Sequence, residues 1–256
     1  MFKIATWNVN SLKVRHNHVL DWLEAEKPDV LALQETKTQD PNFPLEAIND
    51  AGYQVCFAGQ KTFNGVATFT KKPAADVITD LPGLDDPQRR VMGCRVDDVF
   101  VLNLYVPNGS EVGSEKYAYK LGWLEALQKY VNKLITDEKH VILLGDFNIA
   151  PEDRDVHDPE KWQDKILVSE PERKALLDLQ DKGLVDVFRL FEQEEKSFSW
   201  WDYRMMGFRR NHGLRIDLIL ASQELSKLCS ASYIDKEPRR LEKPSDHTPV
   251  VAEFDL

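Results

Sequence analysis

Short apolar runs alternate with segments of helical periodicity along the chain. Eight runs rich in apolar and β-branched residues, each bounded by turn residues, predict strands. They are Ile4–Val9, Val30–Gln34, Tyr53–Ala58, Val66–Thr70, Val99–Val106, Val141–Leu144, Arg215–Ala221 and Val250–Phe254. Helices are predicted from about Arg15 to Glu26, from about Ser114 to Thr136, and from a capping box at Ser169 to Gly183. This pattern favours two stacked sheets covered by helices, in one domain spanning residues 1–256.

The composition predicts a soluble globular protein. Of the 256 residues, 42% are apolar and 30% are charged, which argues against a disordered chain. The N-terminus lacks the pattern of a secretory signal, and no apolar run approaches the roughly 18 residues of a membrane helix. Cys56, Cys94 and Cys229 are scattered without metal-ligand spacing, so we expect a reducing, cytoplasmic location.

The charge balance bears on possible partners. With 33 Lys and Arg against 43 Asp and Glu, the net charge is −10, which argues against a general nucleic-acid binder. Net charge does not say where the charges lie, however, and Arg204, Arg209, Arg210 and Arg215 fall in one short stretch. We therefore expect these arginines to meet phosphates, and a bound divalent cation would reverse the sign of an acidic cleft.

Polar side chains stand at the ends of six predicted strands. In the run that begins at Val141, Asp146 and Asn148 are two residues apart, so they point the same way if the strand stays extended. Taken singly, each of these residues has a structural explanation: it closes a turn, caps a helix or is a core residue with its hydrogen bonds made. Their recurrence predicts that the strand ends meet at one rim. The residues concerned are Asn8, Glu35, Tyr105, Asp146, Asn148, Asp217, Asp246 and His247.

This set of side chains suits metal-assisted phosphate chemistry. The carboxylates, with Asn148, are hard oxygen donors that fit Mg²⁺ or Mn²⁺, and there is no Cys/His quartet for zinc. His247, held by a carboxylate such as Asp217, would serve as a general base or a phosphate donor. The sequence contains neither a phosphate-binding P-loop nor a Gly-x-Ser-x-Gly elbow, which argues against those two hydrolase classes.

Short motifs along essentially the whole chain resemble the exonuclease III family of AP endonucleases, in the endonuclease/exonuclease/phosphatase superfamily. The resemblance implies a four-layer α-β-β-α sandwich, with two mainly antiparallel β-sheets packed face to face and helices outside. The motifs that carry it, in the family's order, are Trp7–Asn10, Leu33–Lys37, Gly59–Lys61, Gln88–Arg90, Tyr105, Gly145–Asn148, Phe198–Arg204, Gly213–Asp217 and Ser245–His247.

The same resemblance implies a Mg²⁺-dependent DNA repair nuclease, with Mn²⁺ as a substitute. Such an enzyme cleaves 5′ to abasic sites and acts as a 3′–5′ exonuclease and 3′-phosphodiesterase. The implied partner is double-stranded DNA with abasic sites, nicks or blocked 3′ ends, bound by a monomer without a membrane. Glu35 would be the main metal ligand, assisted by Asn8 and completed by Asp246. The candidate metal ligands in full are Asn8, Glu35, Asp146, Asn148, Asp246 and His247.

Catalytic and DNA-binding roles also follow from the resemblance. Asp146 would activate or orient the attacking water, and Asn148 would stabilise the transition state or a second metal. Tyr105 would hydrogen-bond the scissile phosphate, which His247, oriented by Asp217, would also contact. Of the DNA-binding residues, three would wall a pocket for a bare abasic sugar and two would meet phosphates. The pocket residues are Trp200, Leu214 and Ile216, and the phosphate-binding residues are Arg204 and Arg215.

Two alternatives remain open. Thr62–Asn64 stands before Gly65, where a bulkier residue often precedes the glycine in this family, and the acidic loop Pro151–Val168 is long. These departures keep two alternatives open: a phosphodiesterase specialised for 3′-end trimming without abasic-site cleavage, or one acting on another phosphate ester. A non-catalytic module on the same fold would lack part of the ligand set, and none of that set is missing.

Overall fold

The computed structural model describes residues 1–256, and its largest features are two six-stranded sheets. The first sheet has the order β13-β14-β1-β2-β4-β3. Its strands are β1 (Phe2–Asn8), β2 (Val30–Gln34), β3 (Gln54–Ala58), β4 (Val66–Thr70), β13 (Cys229–Ile234) and β14 (Val250–Phe254).

The second sheet has the order β5-β6-β7-β8-β12-β9. Its strands are β5 (Ala75–Ile78), β6 (Val91–Val96), β7 (Val99–Tyr105), β8 (Val141–Asp146), β9 (Leu184–Asp186) and β12 (Asp217–Ser222). A separate pair of two-residue strands, β10 (Trp200–Trp201) and β11 (Gly213–Leu214), lies beside them.

Each sheet contains one parallel pair, β1/β2 in the first and β7/β8 in the second, and its other pairs are antiparallel. The two long helices form the crossovers of these parallel pairs. The prediction of mainly antiparallel sheets is therefore confirmed. The helices are α1 (Leu12–Glu26), α2 (Leu45–Asp50), α3 (Glu115–Asp137), α4 (Pro159–Trp162), α5 (Glu170–Gln180), α6 (Gly207–Arg210) and α7 (Gln223–Ser226).

The alternation of side chains along each strand divides the core into layers. Ile4 of β1 packs between the sheets with Val30 and Ile142, whereas Trp7 points outward and packs against Trp22 of α1. Helices α3 and α5 cover the outer face of the second sheet in the same way. The predicted four-layer sandwich is thus confirmed. None of the helices combines the length and the apolar character that crossing a membrane requires.

The strand directions bring polar residues to one rim. Parallel pairing places Asn8 beside Gln34 and Tyr105 beside Asp146, so both parallel pairs end at that rim. Strand β12 runs antiparallel to β8 and begins there, with Asp217 opposite Asp146. The period of two turns all these side chains toward the space between the sheets. The predicted meeting of strand ends follows from the topology.

Some element boundaries differ from the prediction. The strand predicted as Arg215–Ala221 is present but begins two residues later, as β12 (Asp217–Ser222), and Arg215 and Ile216 link it to β11. Strands β5, β6, β9 and β13 were not predicted, since small and charged residues interrupt their apolar pattern. The capping box at Ser169 is present, and the Ser114 side chain accepts a hydrogen bond from the Tyr117 N–H at the start of α3.

Candidate active site

One buried amide joins the two sheets at the rim. The Asn8 side chain, at the end of β1, donates to Oε1 of Glu35 and to Oδ2 of Asp146, both at 2.9 Å. Glu35 follows β2 in the first sheet, and Asp146 ends β8 in the second. A neutral donor between two carboxylates satisfies both without cancelling their charge. The carboxylates predicted from separate strand ends therefore share one site.

A histidine lies between two further carboxylates of this site. His247 Nδ1 is 2.8 Å from Oδ2 of Asp217, whose position is fixed by a 2.6 Å hydrogen bond from the Ser199 hydroxyl. The other ring nitrogen, Nε2, is 3.8 Å from Oδ2 of Asp146. That separation exceeds a hydrogen bond. The imidazole is thus held tightly on one side and faces a gap on the other.

Burial and charge shift the titration of this group of residues. Burial alone would lower the pKa of His247, but Asp217 and Asp146 outweigh it and raise the pKa to about 10. Burial raises the pKa of Asp146 to about 7, although His247 opposes the shift. Near neutral pH the histidine is therefore a cation, while Asp146 is poised between its two protonation states.

Glu35 and Asp246 stay ionised. Burial raises the pKa of Glu35, but the Lys37 ammonium, 2.8 Å from Oε2, and Asn8 outweigh it and leave the pKa below its ordinary value. The pKa of Asp246 is also lowered on balance, against burial, by His247 and by donors from Asn10 (2.9 Å) and Trp200 (3.0 Å). Two partly buried carboxylates are thus kept charged by cationic and N–H groups.

The donor set at Glu35 and Asp246 fits a hard divalent cation. Both carboxylates are ionised, and an ammonium already lies against one of them. Asp146, Asp217 and His247 also have ligand atoms within 4.8 Å of one another. Both oxygens of Asp217, however, face the His247 ring. The chemistry of the site therefore favours the Glu35 side for a metal.

Two residues with strained backbone conformations flank this cluster of carboxylates. Glu35 has φ +51° and Asn148 has φ +50°, in the left-handed region that non-glycine residues rarely occupy. The Asn148 carboxamide donates to the Val106 carbonyl at 3.0 Å, and its backbone N–H donates to Oδ1 of Asp146 at 2.9 Å. This backbone conformation directs the Asn148 side chain toward β7, away from solvent.

Tyr105 lies beside the same carboxylates. Burial, with Glu35 and Asp146 nearby, raises the pKa of Tyr105 well above its ordinary value. The Arg90 guanidinium lies 4.6 Å from the ring centroid. The hydroxyl therefore keeps its proton and can donate a hydrogen bond as a neutral group.

The predicted DNA-contacting residues divide into two groups. Trp200 is half-buried beside His247, with ring centroids 6.5 Å apart, and Arg204 is exposed, as are Arg209 and Arg210. The prediction that Arg215 contacts DNA phosphates disagrees with the structure, because only 1% of this residue is exposed. Arg215 is therefore separate from the exposed arginines of this stretch.

The guanidinium of Arg215 is bonded to two carboxylates inside the protein. Its Nε lies 2.7 Å from Oδ1 of Asp155, and one of its terminal nitrogens lies 2.7 Å from Oδ2 of Asp186. Leu214 (0% exposed) and Ile216 (2%) are buried too, in a cluster with Val168. Trp200 packs against the same cluster, and the role of Leu214 and Ile216 as pocket walls stays a prediction.

Several residues of the site were not singled out from the sequence. Lys37 bonds Glu35, Asn10 links Lys37 to Asp246, and Ser199 orients Asp217. Their positions inside the motifs at residues 7–10, 33–37 and 198–204 were the available signal. Asn108, which donates to Oδ1 of Asn148 at 3.1 Å, lies outside every motif and had no signal of that kind.

Comparison with known proteins gives consistent relatives. The model of the endonuclease/exonuclease/phosphatase family matches residues 5–247. Among curated proteins, the chain is 36% identical to exodeoxyribonuclease III of Haemophilus influenzae, over 98% of this chain and 99% of that protein. These matches extend across the two sheets and all the residues of the rim.

Solved structures are similar over the full length. A 3′ phosphatase, NExo from Neisseria, bound to a product DNA hairpin, has 45% identity and a TM-score of 0.98, covering 100% of both chains. An AP endonuclease from Archaeoglobus fulgidus has 40% identity and a TM-score of 0.96, again over 100% of both chains. The relatives thus include proteins named for 3′-end and for abasic-site activity.

Proposed function

Because the chain belongs to the endonuclease/exonuclease/phosphatase family, we propose that it is a Mg²⁺-dependent DNA repair nuclease of the exodeoxyribonuclease III type. It removes nucleotides and blocking groups from 3′ ends of duplex DNA and cleaves 5′ to abasic sites. It works as a monomer in the cytoplasm. Support for a reducing compartment comes from the three free cysteines.

The observation that carries this proposal is the gap between His247 and Asp146. A charged imidazole and a carboxylate with a pKa of about 7 face each other across 3.8 Å. At that distance Nε2 and the carboxylate make no hydrogen bond to each other. The imidazole Nε2–H can therefore donate to a phosphate oxygen, and Asp146 can accept from a water.

The proposed reaction uses these groups in distinct roles. The water oxygen bonds to phosphorus as Asp146 accepts the water's proton, and the P–O3′ bond breaks, with the departing O3′ taking a proton from solvent to become a 3′-hydroxyl. The imidazolium of His247, oriented by Asp217, and the hydroxyl of Tyr105 donate to phosphate oxygens. Asn148 supports the position of Asp146 through its backbone N–H.

Glu35, Asp246 and the carboxamide of Asn8 would hold the metal. When bound there, Mg²⁺ polarises a phosphoryl oxygen and stabilises charge on the leaving oxygen, with Mn²⁺ as a substitute. Lys37, which contacts Glu35 in the absence of a metal, would yield that position and remain beside the phosphates.

The direct test compares two substrates with and without chelator. The protein should cleave a duplex with a central abasic site and remove a 3′-phosphate from a nicked duplex, and EDTA should abolish both activities until Mg²⁺ is added back. Glu35→Ala should remain folded and bind duplex while losing both activities. Cleavage that persists in EDTA would contradict metal dependence, and activity only on an inositol phosphate would favour another branch of the superfamily.

A specific observation favours a second candidate, an enzyme that trims 3′ ends and leaves abasic sites intact. Leu214 and Ile216, which were expected to wall the sugar pocket, are both buried. A sugar could enter there only after that cluster opens. Robust 3′-phosphate removal without incision of the abasic duplex would establish this alternative.

A further inference from the structure

One lysine of this protein is entirely buried. Lys120, on the inner side of α3, has 0% exposure, and its ammonium has three partners. It donates to the carbonyl oxygens of Asn148 (2.7 Å) and Asn108 (3.2 Å), and it contacts the carboxylate of Glu172. An ammonium has three donors, so every one of them is used.

The fold does not require this charge to form the neighbouring helix. Glu172 closes the capping box of α5, where its Oε2 accepts from the Ser169 N–H at 3.1 Å and from the Ser169 hydroxyl at 2.5 Å. A glutamine performs the same capping function without a charge. A buried ion pair is also no better for stability than apolar residues of similar volume. The reason for the lysine therefore lies in its two carbonyl bonds.

Those two carbonyls belong to residues of the active-site rim. Asn148 is held at φ +50°, and its backbone N–H donates to Oδ1 of Asp146 at 2.9 Å. Its Oδ1 accepts from the Asn108 carboxamide at 3.1 Å, and its Nδ2 donates to the Val106 carbonyl at 3.0 Å. A shift of the Asn148 backbone would therefore move Asp146's donor and the carboxamide together.

We propose that Lys120 is a positioning residue for the reaction: its ammonium clamps the carbonyl groups of Asn108 and Asn148, and so holds the Asn148 N–H on Asp146. Glu172 supplies the counter-charge that lets the ammonium remain buried. This inference rests on the function proposed above and deepens it, because it extends the working site from the rim into the contact between α3 and α5.

The test separates positioning from simple loss of stability by using paired variants. Lys120→Met alone leaves Glu172 as an unpaired buried charge and should melt well below the wild type. In Lys120→Met/Glu172→Gln the charge is removed and the bonds to Ser169 are kept, so most of the melting temperature should recover; the remaining deficit comes from the Leu167 N–H, which donates to the second oxygen of Glu172 at 3.1 Å. Its kcat for 3′-phosphate removal should nevertheless stay about 10- to 100-fold low, with KM unchanged, as is typical when a supporting hydrogen bond is lost.

Tyr117→Phe is the matched control. Tyr117 lies on the same helix and bonds Ser169 at 2.7 Å, without contacting Lys120's carbonyl partners. Its loss should leave kcat at the wild-type value. A double variant with wild-type kcat, whatever its melting temperature, would overturn the positioning role.

A second readout needs no substrate. In ¹⁵N-labelled protein, the side-chain NH₂ signals of Asn108 and Asn148 should shift or broaden in the double variant. The signal of Asn103, bonded to the carbonyls of Leu33 and Ala67 between the sheets, should not. Unchanged Asn108 and Asn148 signals would also overturn the inference. If the wild type cleaves no DNA, the proposed function fails, and the spectra still decide whether Lys120 positions Asn148.

Discussion

Two buried clusters of this protein each place a cation between two carboxylates, and Arg215 of the first lies two residues before Asp217 of the second. In the first, Arg215 bonds Asp155 and Asp186 at 2.7 Å each. The cluster ties the loop before α4 and the end of β9 to the start of β12. No gap separates the cation from either carboxylate, so nothing can bind between them.

The second cluster is built from similar charges but is left open. His247 is bonded to Asp217 at 2.8 Å, yet it stands 3.8 Å from Asp146. The pKa of Asp146 is raised to about 7, mainly by burial, because its opposite charge is too far away to restore the ordinary value. The comparison teaches that closure of the ion pairs, rather than the presence of buried charge, separates a structural cluster from a candidate catalytic one.

The largest expected effect is on the second cluster, of Asp146, Asp217 and His247, which we call the open cluster. Asp146→Asn removes the group proposed to accept the water's proton, so kcat should fall about 10²–10⁴-fold. The melting temperature should hold, because the amide avoids the cost of burying a charge. Single-turnover rates and a thermal melt on the same preparation would measure both. Normal turnover in this variant would remove Asp146 from the mechanism.

Substitution in the first cluster, of Asp155, Asp186 and Arg215, which we call the closed cluster, should lower stability rather than turnover. Arg215→Met leaves Asp186 without its buried partner and should lower the free energy of unfolding by about 3–5 kcal/mol. The kcat of the folded fraction should remain near the wild type. Urea unfolding with kinetics below the transition would check this, with Arg215→Lys as the charge-conserving control. Weaker DNA binding at unchanged stability would restore Arg215 as a phosphate contact.

The two clusters should also differ in their response to pH. The folded-state pKa of His247 is raised to about 10, so the stability that it contributes is complete below about 6.5 and lost as pH rises through about 10. Asp217→Asn removes the carboxylate that does most to raise the pKa of His247, so the loss of stability should then occur at lower pH. The pKa of Arg215 is raised and lies above this pH range, so Arg215 stays charged throughout. The free energy of unfolding that Arg215→Met loses should therefore be the same at every pH tested. Unfolding free energies from pH 6 to 10 would test both statements.

A smaller effect concerns salt. Arg204, Arg209 and Arg210 are exposed, and each that meets a phosphate contributes about 0.9 to the slope of log affinity against log salt concentration. Replacing the three with Gln should flatten that slope, whereas Arg215→Met should leave it unchanged. The slope of the wild type is the reference. A wild-type plot that is already flat would contradict the phosphate contacts.

The smallest effect is a change of preference at Trp200. Trp200→Phe loses only the N–H that bonds Asp246 and should lower both activities equally. Trp200→Ala also loses the flat apolar wall and should lower abasic-site cleavage more than 3′ trimming. Circular dichroism would check the fold. Equal loss of both activities in the alanine variant would make Trp200 a support for Asp246 alone.

The sequence by itself determined the layers and the chemical character of the rim. Period-two alternation in β1 and β7 and the strand-end positions of Asn8 and Asp146 are local properties, so they could be interpreted without coordinates. The resemblance of the motifs supplied the order of the elements. Strands β6 and β13 were missed, because their pairing, rather than their own residues, decides their conformation.

Only the tertiary structure decided which charges are closed and which are open. Arg215 and Arg204 look alike in sequence, yet one is buried between two carboxylates and the other is exposed. Lys120 carried no signal, since its partners lie 12 residues or more away along the chain, on segments that meet only when α3 and α5 pack. Burial and distance set the strength of a charge, and both arise from long-range contacts that a linear pattern does not contain.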